Sequence, residues 1–256
     1  NERILLELKR RITEPYIRRD DFWWMGLRET HHSLANWVPW TTGNCLRVVL
    51  MTEPSEEQRW LALSKALTSL DKYLSLYSPD GGCDEGPSYW GRSGGSLFEC
   101  LEMLWELTEG AFDPFSEALI QKMGQYMYKV HIAGSYFVNF ADGSAKAEVD
   151  GPILFSYGKR IGDRELMILG AEMYRIQGLK GLLAPQTYSL GRILRAALLH
   201  KEIWGWRGNQ AALPRDHWLE HLQVLTCREA TQPPEGFFLA AKGGHNGESH
   251  NHNDVG

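Results

Sequence analysis

Thr231-Gln-Pro-Pro-Glu-Gly-Phe-Phe-Leu-Ala-Ala-Lys-Gly-Gly-His-Asn-Gly-Glu-Ser-His-Asn-His-Asn-Asp-Val-Gly256 is the stretch on which the reading of the fold turns. Its prolines remove backbone donors and mark a boundary, and the apolar run Phe237–Ala241, set between Gly236 and Gly243-Gly244, reads as a short strand. Upstream the chain reads as helices joined by glycine-rich loops, the rhythm of stacked helical hairpins, with no sequence identity between units. A mainly α domain is therefore expected over residues 1–230. Residues 231–256 are expected to form a linker and the opening strand of a β-domain.

Working outward, residues 2–12 place Ile4, Leu5, Leu8 and Ile12 at helical spacing. Pro39 excludes an ordinary helix interior, so the next helix is expected from about Thr42 to Met51. Residues 55–77 carry a Ser55-x-x-Gln58 capping box and apolar positions Leu61, Leu63, Leu67, Leu70, Leu74 and Tyr77, ending at Ser78-Pro-Asp-Gly-Gly82. Ser96, with Glu99, is expected to cap a helix to Thr108 that buries Leu97, Cys100, Leu101, Leu104 and Trp105 and stops at Gly110. Asp113-Pro114 signals another helix, to about Val130. Two more are expected over 163–177 and 187–204, the second with Arg192, Arg195 and Lys201 on its polar side. Before the first of these two lies a loop, 137–146, in which Asp142-Gly143 reads as a turn, with Asn139, Asp142 and Lys146 as lesser ligand-contact candidates.

With 43% hydrophobic and 23% charged residues in 256, the chain can bury a sizeable core. A net charge of −5 and a pI near 6.0 give no nucleic-acid footprint. No apolar run approaches the ~20 residues of a membrane span, so no membrane insertion is expected. An anionic substrate needs locally clustered arginine and lysine, because the overall field repels it. Cys45, Cys83, Cys100 and Cys227 show no metal spacing and read as buried thiols, although a Cys83–Cys100 disulfide stays open. Asn1 opens directly into a helical pattern, so the chain is expected to be a processed or trimmed piece. Ten tryptophans stand out. Most belong in a helical core, and a minority are expected to line a groove as stacking platforms.

Three segments concentrate chemistry. In an extended backbone His250, His252 and Asp254 share one face, with Asn251 and Asn253 on the other. Such a pair is either a solvated turn or a site. His-x-His-x-Asp also opens a two-metal hydrolase pattern, but Val255 stands where that pattern takes another histidine. The second segment, Asp20–Trp40, is aromatic and polar together and reads as a cleft-lining loop, in which Asn36 either caps the next turn or faces a ligand. The third is Cys83-Asp-Glu-Gly-Pro-Ser-Tyr-Trp-Gly-Arg-Ser-Gly-Gly-Ser96, whose glycines admit close approach of a ligand to the backbone. Tyr89, beside Arg92 and expected near a helix start, is either a proton donor or a packing ring next to Trp90.

The segment Gly243-Gly-His-Asn-Gly-Glu-Ser-His-Asn-His-Asn-Asp254 resembles the entry into the β-domain of the heparinase II/III-like polysaccharide lyases, of alginate-lyase and heparinase type. Asn36-Trp37-Val-Pro-Trp40 and Glu85-Gly-Pro-Ser-Tyr89-Trp-Gly-Arg92 resemble that family's segments bearing the uronate-neutralising residue and the tyrosine. The resemblance implies an (α/α) toroid of helical hairpins over 1–230, followed by the first strands of a truncated β-sandwich domain. It implies β-elimination on a uronic-acid-containing glycan, with a glycosaminoglycan such as heparin or heparan sulfate favoured and alginate next. Asn36 would neutralise the uronate carboxylate. Tyr89 would act as general acid, and as base too when proton and leaving group share a face, while His250 would be base when they do not. His31, His32, Trp37, Trp40, Glu85, Trp90, Arg92, His245 and Glu248 would bind substrate. His31 or His32 would share the role of Asn36, since some relatives carry histidine there. His252 would be a ligand of a structural zinc whose partners lie further on, and the elimination itself would need no cofactor. A non-catalytic glycan-binding toroid is the remaining alternative. The family points to a bacterial periplasmic or secreted protein.

Overall fold

A computed structural model describes residues 1–28, 35–182, 189–206, 208, 213–231 and 234–252, apart from the side chains of 179–182. The chain is mainly helical, with a small antiparallel sheet toward its C-terminus. It divides into two compact units, residues 1–77 with 96–111, and residues 78–95 with 112–256.

The first unit opens on a helical run, α1 (Glu2–Leu8), a π-turn Lys9–Thr13 and α2 (Glu14–Arg18). Ile4 and Leu5 of its expected core face stand exposed, as does Leu6, and burial begins at Thr13 and Tyr16. The carbonyl end of α2 is satisfied from a distance: Lys65 Nζ donates to the oxygens of Tyr16, Ile17 and Arg19 at 2.8, 2.7 and 2.8 Å. Helix α3 (Trp37–Thr52) starts five residues earlier than expected. Pro39 is its third residue, where an N–H has no intrahelical partner to lose, so the ring is tolerated. Helix α4 (Glu56–Leu76) begins as the capping box predicts, with Ser55 Oγ accepting from Gln58 N. Its buried face is Ala62, Ala66, Ser69, Leu70 and Tyr73, whereas Leu61 and Leu67 face solvent. Small side chains at that face let neighbouring helices approach. Helix α5 (Gly94–Leu107) begins before Ser96, which is buried within it rather than capping it. A Cβ on Gly43 of α3 would lie 2.5 Å from Cys100 Sγ of α5, a measure of how closely those helices pass.

The second unit contains α6 (Ala118–Lys129), α7 (Gly151–Ile161), α8 (Arg164–Leu182) and α9 (Leu190–Gly205). Asp113-Pro114 makes a turn, not a helix start: Asp113 Oδ1 accepts from Phe115 N, and α6 begins after Glu117. Helix α7, unforeseen behind its Gly151-Pro152 pair, is capped by Asp150 accepting from Ile153 N. Proline fits the first turn, and the glycine serves packing, since a Cβ on Gly151 would meet Gly170 O of α8 at 2.5 Å. Trp90 anchors this core, fully buried, with Nε1 donating to Met123 O at 2.8 Å.

Two sheets complete the unit: a hairpin of β1 (His131–Ala133) and β2 (Tyr136–Phe137), and an antiparallel sheet in the order β3 (Asp216–Leu219), β4 (Val224–Arg228), β5 (Phe238–Lys242). The strand expected over Phe237–Ala241 is β5, one residue later. Val224, Thr226 and Arg228 alternate inward. Thr226 Oγ1 donates to Lys129 O and Arg228 Nη2 to His131 O, tying β4 to the end of α6. Asp80 ties the loop after α4 to the β3–β4 turn. Its oxygens accept from Ser78 Oγ and from the N–H groups of Gly82, His221 and Leu222. All four cysteines are thiols outside any disulfide, and burial pushes the Cys83 thiol up to about 12.

Burial lowers His131 in β1 and His217 in β3 to about 4, from 6.5. The folded state thus prefers both rings neutral, whereas the unfolded chain protonates them near 6.5. Their contribution to stability is fully present above pH 6.5 and falls as pH drops toward about 4. Melting temperatures measured across that window should decline steadily. A melting temperature constant from pH 6.5 to 4 would contradict the neutral placement of the two rings, His131 buried and His217 half-buried.

Candidate active site

Three loops of the second unit meet at one group of titratable side chains. The first runs from Cys83 through a 3-10 turn, Pro87–Tyr89, into α5. It lies against the second, the Phe140–Ser144 turn. A Cβ on Gly86, whose φ is +96°, would sit 2.7 Å from Phe140 O, so only glycine suits both the backbone angle and the approach. Ser88 Oγ accepts from Ser144 N at 2.8 Å. The third is the segment after β5, folded into a turn by its own polar groups. Lys242 Nζ donates to Glu248 Oε2 at 2.6 Å, Glu248 Oε1 accepts from His245 N, and His245 Nδ1 accepts from Gly247 N.

Asp142 joins the second loop to the third. Its Oδ2 lies 2.8 Å from His250 Nδ1 and its Oδ1 2.6 Å from His252 Nε2. His250 Nε2 lies 3.9 Å from Glu85 Oε2 on the first loop. The extended geometry expected for the two histidines is not what brings them together: His250 has φ +58°, and a turn delivers both rings to one carboxylate. A hydrogen bond from His252 holds the Asp142 carboxyl below the ordinary carboxylate range; burial opposes it, and the hydrogen bond and charge of His250 reinforce it. Burial pushes the neighbouring Asp84 carboxyl up, while the charge of His250 and the Ser249 hydroxyl pull it back.

The expected site residues divide as follows. Glu85, Tyr89 and Arg92 share the first loop, and the Arg92 guanidinium lies 5.5 Å from the centre of the half-buried Tyr89 ring. His250 and His252 meet at Asp142, and His245 and Glu248 build the turn that presents them. Trp90, expected to touch substrate, is a core ring instead: an apolar side chain with one N–H donor is most stable buried once that donor finds a carbonyl. Asn36, Trp37 and Trp40 belong to the first unit. Asn36 precedes α3 without capping it through its side chain, and its buried Oδ1 accepts from Tyr73 OH at 2.9 Å. Trp37, 46% exposed, lies 5.1 Å from Trp40 and 5.8 Å from Trp23, itself 53% exposed, giving a tilted row of indoles. His31, His32 and Asp254 lie outside the described residues.

Sequence reading gave Asp142 only a minor part, in an Asp-Gly turn, and overlooked Asp84. One signal was present: a His-x-His pair offers two N–H donors that need an acceptor, though nothing in the spacing selects which carboxylate, 108 residues back from His250, supplies it. Chemically the arrangement is an imidazole oriented through Nδ1 by a carboxylate, with a second carboxylate near Nε2 and a phenol on the adjoining loop. Imidazole and carboxylates are also metal ligands. No helix among the described residues is long and apolar enough to cross a membrane. No family model matches the chain, and no curated protein matches it.

Proposed function

We propose that the protein is a polysaccharide lyase of the heparinase II/III-like kind, cleaving uronic-acid-containing glycans by β-elimination. The observation that carries this reading is the Asp142–His250 pair beside the loop of Tyr89. With the proton of the ring on Nδ1 and donated to Asp142, Nε2 holds the lone pair that takes a proton. Glu85, 3.9 Å from Nε2, stabilises the imidazolium as it forms.

In the reaction His250 removes the C-5 proton of the uronate, and the electron pair left behind forms the C-4–C-5 double bond. The C-4–O bond breaks, and the Tyr89 hydroxyl gives its proton to the departing oxygen. When proton and leaving oxygen share a face, Tyr89 does both. The C-5 proton is acidic enough only if the uronate carboxylate is neutralised. Arg92 supplies positive charge on the Tyr89 turn. In this reading the helices belong to an (α/α) toroid and β5 to the opening of a β-sandwich. A sulfated glycosaminoglycan is the favoured substrate, in a bacterial periplasmic or secreted setting, with His252 a ligand of a structural zinc.

The test is incubation with heparin, heparan sulfate, chondroitin sulfate, hyaluronan and alginate, followed by ultraviolet absorbance of the conjugated unsaturated uronate. A steady rise with at least one polymer is expected. A flat trace with all five, from the full-length protein, sinks the proposal.

A further inference from the structure

We propose that Glu85, Asp142 and His250 form a binding site for a divalent transition-metal cation of the zinc class. One nitrogen of His250 and one oxygen of each carboxylate lie within 4.8 Å of one another. Metal bonds of about 2.0–2.2 Å at tetrahedral angles put neighbouring ligand atoms about 3.3–3.6 Å apart. The separations of 2.8 Å to Asp142 and 3.9 Å to Glu85 are made by different nitrogens of His250, Nδ1 and Nε2, so an ion held by one of them needs side-chain rotation to draw the third ligand atom in from within 4.8 Å.

The donor set decides the class of ion. Two carboxylates and a neutral imidazole balance a dication, and the nitrogen ligand favours zinc and its neighbours over magnesium and calcium, which take oxygen. The second oxygen of Asp142 is held by His252 Nε2 at 2.6 Å, an outer hydrogen bond of the kind that fixes a ligating carboxylate. Side chains of Glu85, Asp142 and His250 are 15%, 33% and 34% exposed, which leaves an approach for the ion and room for water as a further ligand. This is not the zinc site implied by the resemblance, in which His252 is a ligand and the others lie beyond it in sequence. The site has one functional consequence, which rests on the proposed elimination: a cation bound to His250 takes the lone pair that the reaction needs, so metal binding and proton abstraction exclude each other.

The test is calorimetric titration of the chelator-treated protein with zinc chloride. One equivalent is expected to bind tightly, and Glu85→Gln, a near-isosteric change, is expected to weaken that binding by more than about tenfold. Asp142→Asn should do the same, while His221→Gln, in the β3–β4 turn, should leave the titration unchanged. Metal-free melting temperatures of the variants show whether each remains folded, and Glu85→Gln decides the matter if Asp142→Asn loosens the terminal segment. Absence of this equivalent, or an affinity in Glu85→Gln within about twofold of the parent, overturns the site. Where a uronate polymer is cleaved, saturating zinc should lower turnover at least about tenfold, and undiminished turnover overturns the exclusion. If no polymer is cleaved, the lyase reading fails while the titration still decides the metal site.

Discussion

Tyr89→Phe is expected to lower turnover of a uronate glycan by about a thousandfold, with KM changed by less than about threefold. The substitution removes one oxygen and keeps the ring over Arg92, so the 3-10 turn Pro87–Tyr89 and its contact with Ser144 should persist. What disappears is the proton for the leaving 4-oxygen, and general acid catalysis contributes roughly a hundred- to ten-thousandfold. A group acting only in the transition state lowers kcat and leaves ground-state binding intact. The measurement is the initial rate of unsaturated-uronate formation against substrate concentration. A variant retaining half the parent's kcat would reduce Tyr89 to a stacking ring and move the general-acid role to another group.

His250→Gln carries the second large effect, and it should depend on the substrate. The two C-5 epimers of a uronate present the proton on opposite faces relative to the 4-oxygen. Where the two lie on opposite faces, His250 is the base, and its loss should slow turnover by at least about a hundredfold. Where they share a face, Tyr89 serves both ends and the rate should change by less than about threefold. Rates on polymers enriched in one epimer or the other separate these cases. Equal loss on both would assign His250 a structural part, holding the terminal turn to Asp142.

Features set by a few neighbouring residues were legible in the sequence. Ser55 and Gln58 alone determine the start of α4, and the left-handed Gly110, at φ +83°, follows α5 where a helix of that pattern should stop. The apolar run between glycines became β5. Features set by distant neighbours were not. Leucine spacing in α4 pointed to one face, but the buried face is the one whose Ala62, Ala66 and Ser69 permit close packing, a choice made by the partners and not by hydrophobicity. Pro39 read as a breaker because a proline near a helix start looks, in sequence, like one in its interior, and the Gly151-Pro152 start of α7 went unread. At the site, His250 and Tyr89 were legible as residue types suited to proton transfer, and His252 as a metal ligand. Asp142 was given only a minor part, because its role arises from a contact 108 positions along the chain. Trp90 was misread because nothing local separates a ring that faces a ligand from one whose N–H finds a buried carbonyl.

Elimination and hydrolysis differ in the fate of water, and that difference gives the most direct test. Glycan digested by the full-length protein in oxygen-18 water should yield fragments with no label at the cleaved bond, and a new non-reducing end lighter than a hydrolysed one by the mass of a water molecule. Fragments carrying oxygen-18 at the new reducing end, with saturated uronates, would contradict the account and assign the Glu85–Asp142–His250 group to metal-assisted hydrolysis.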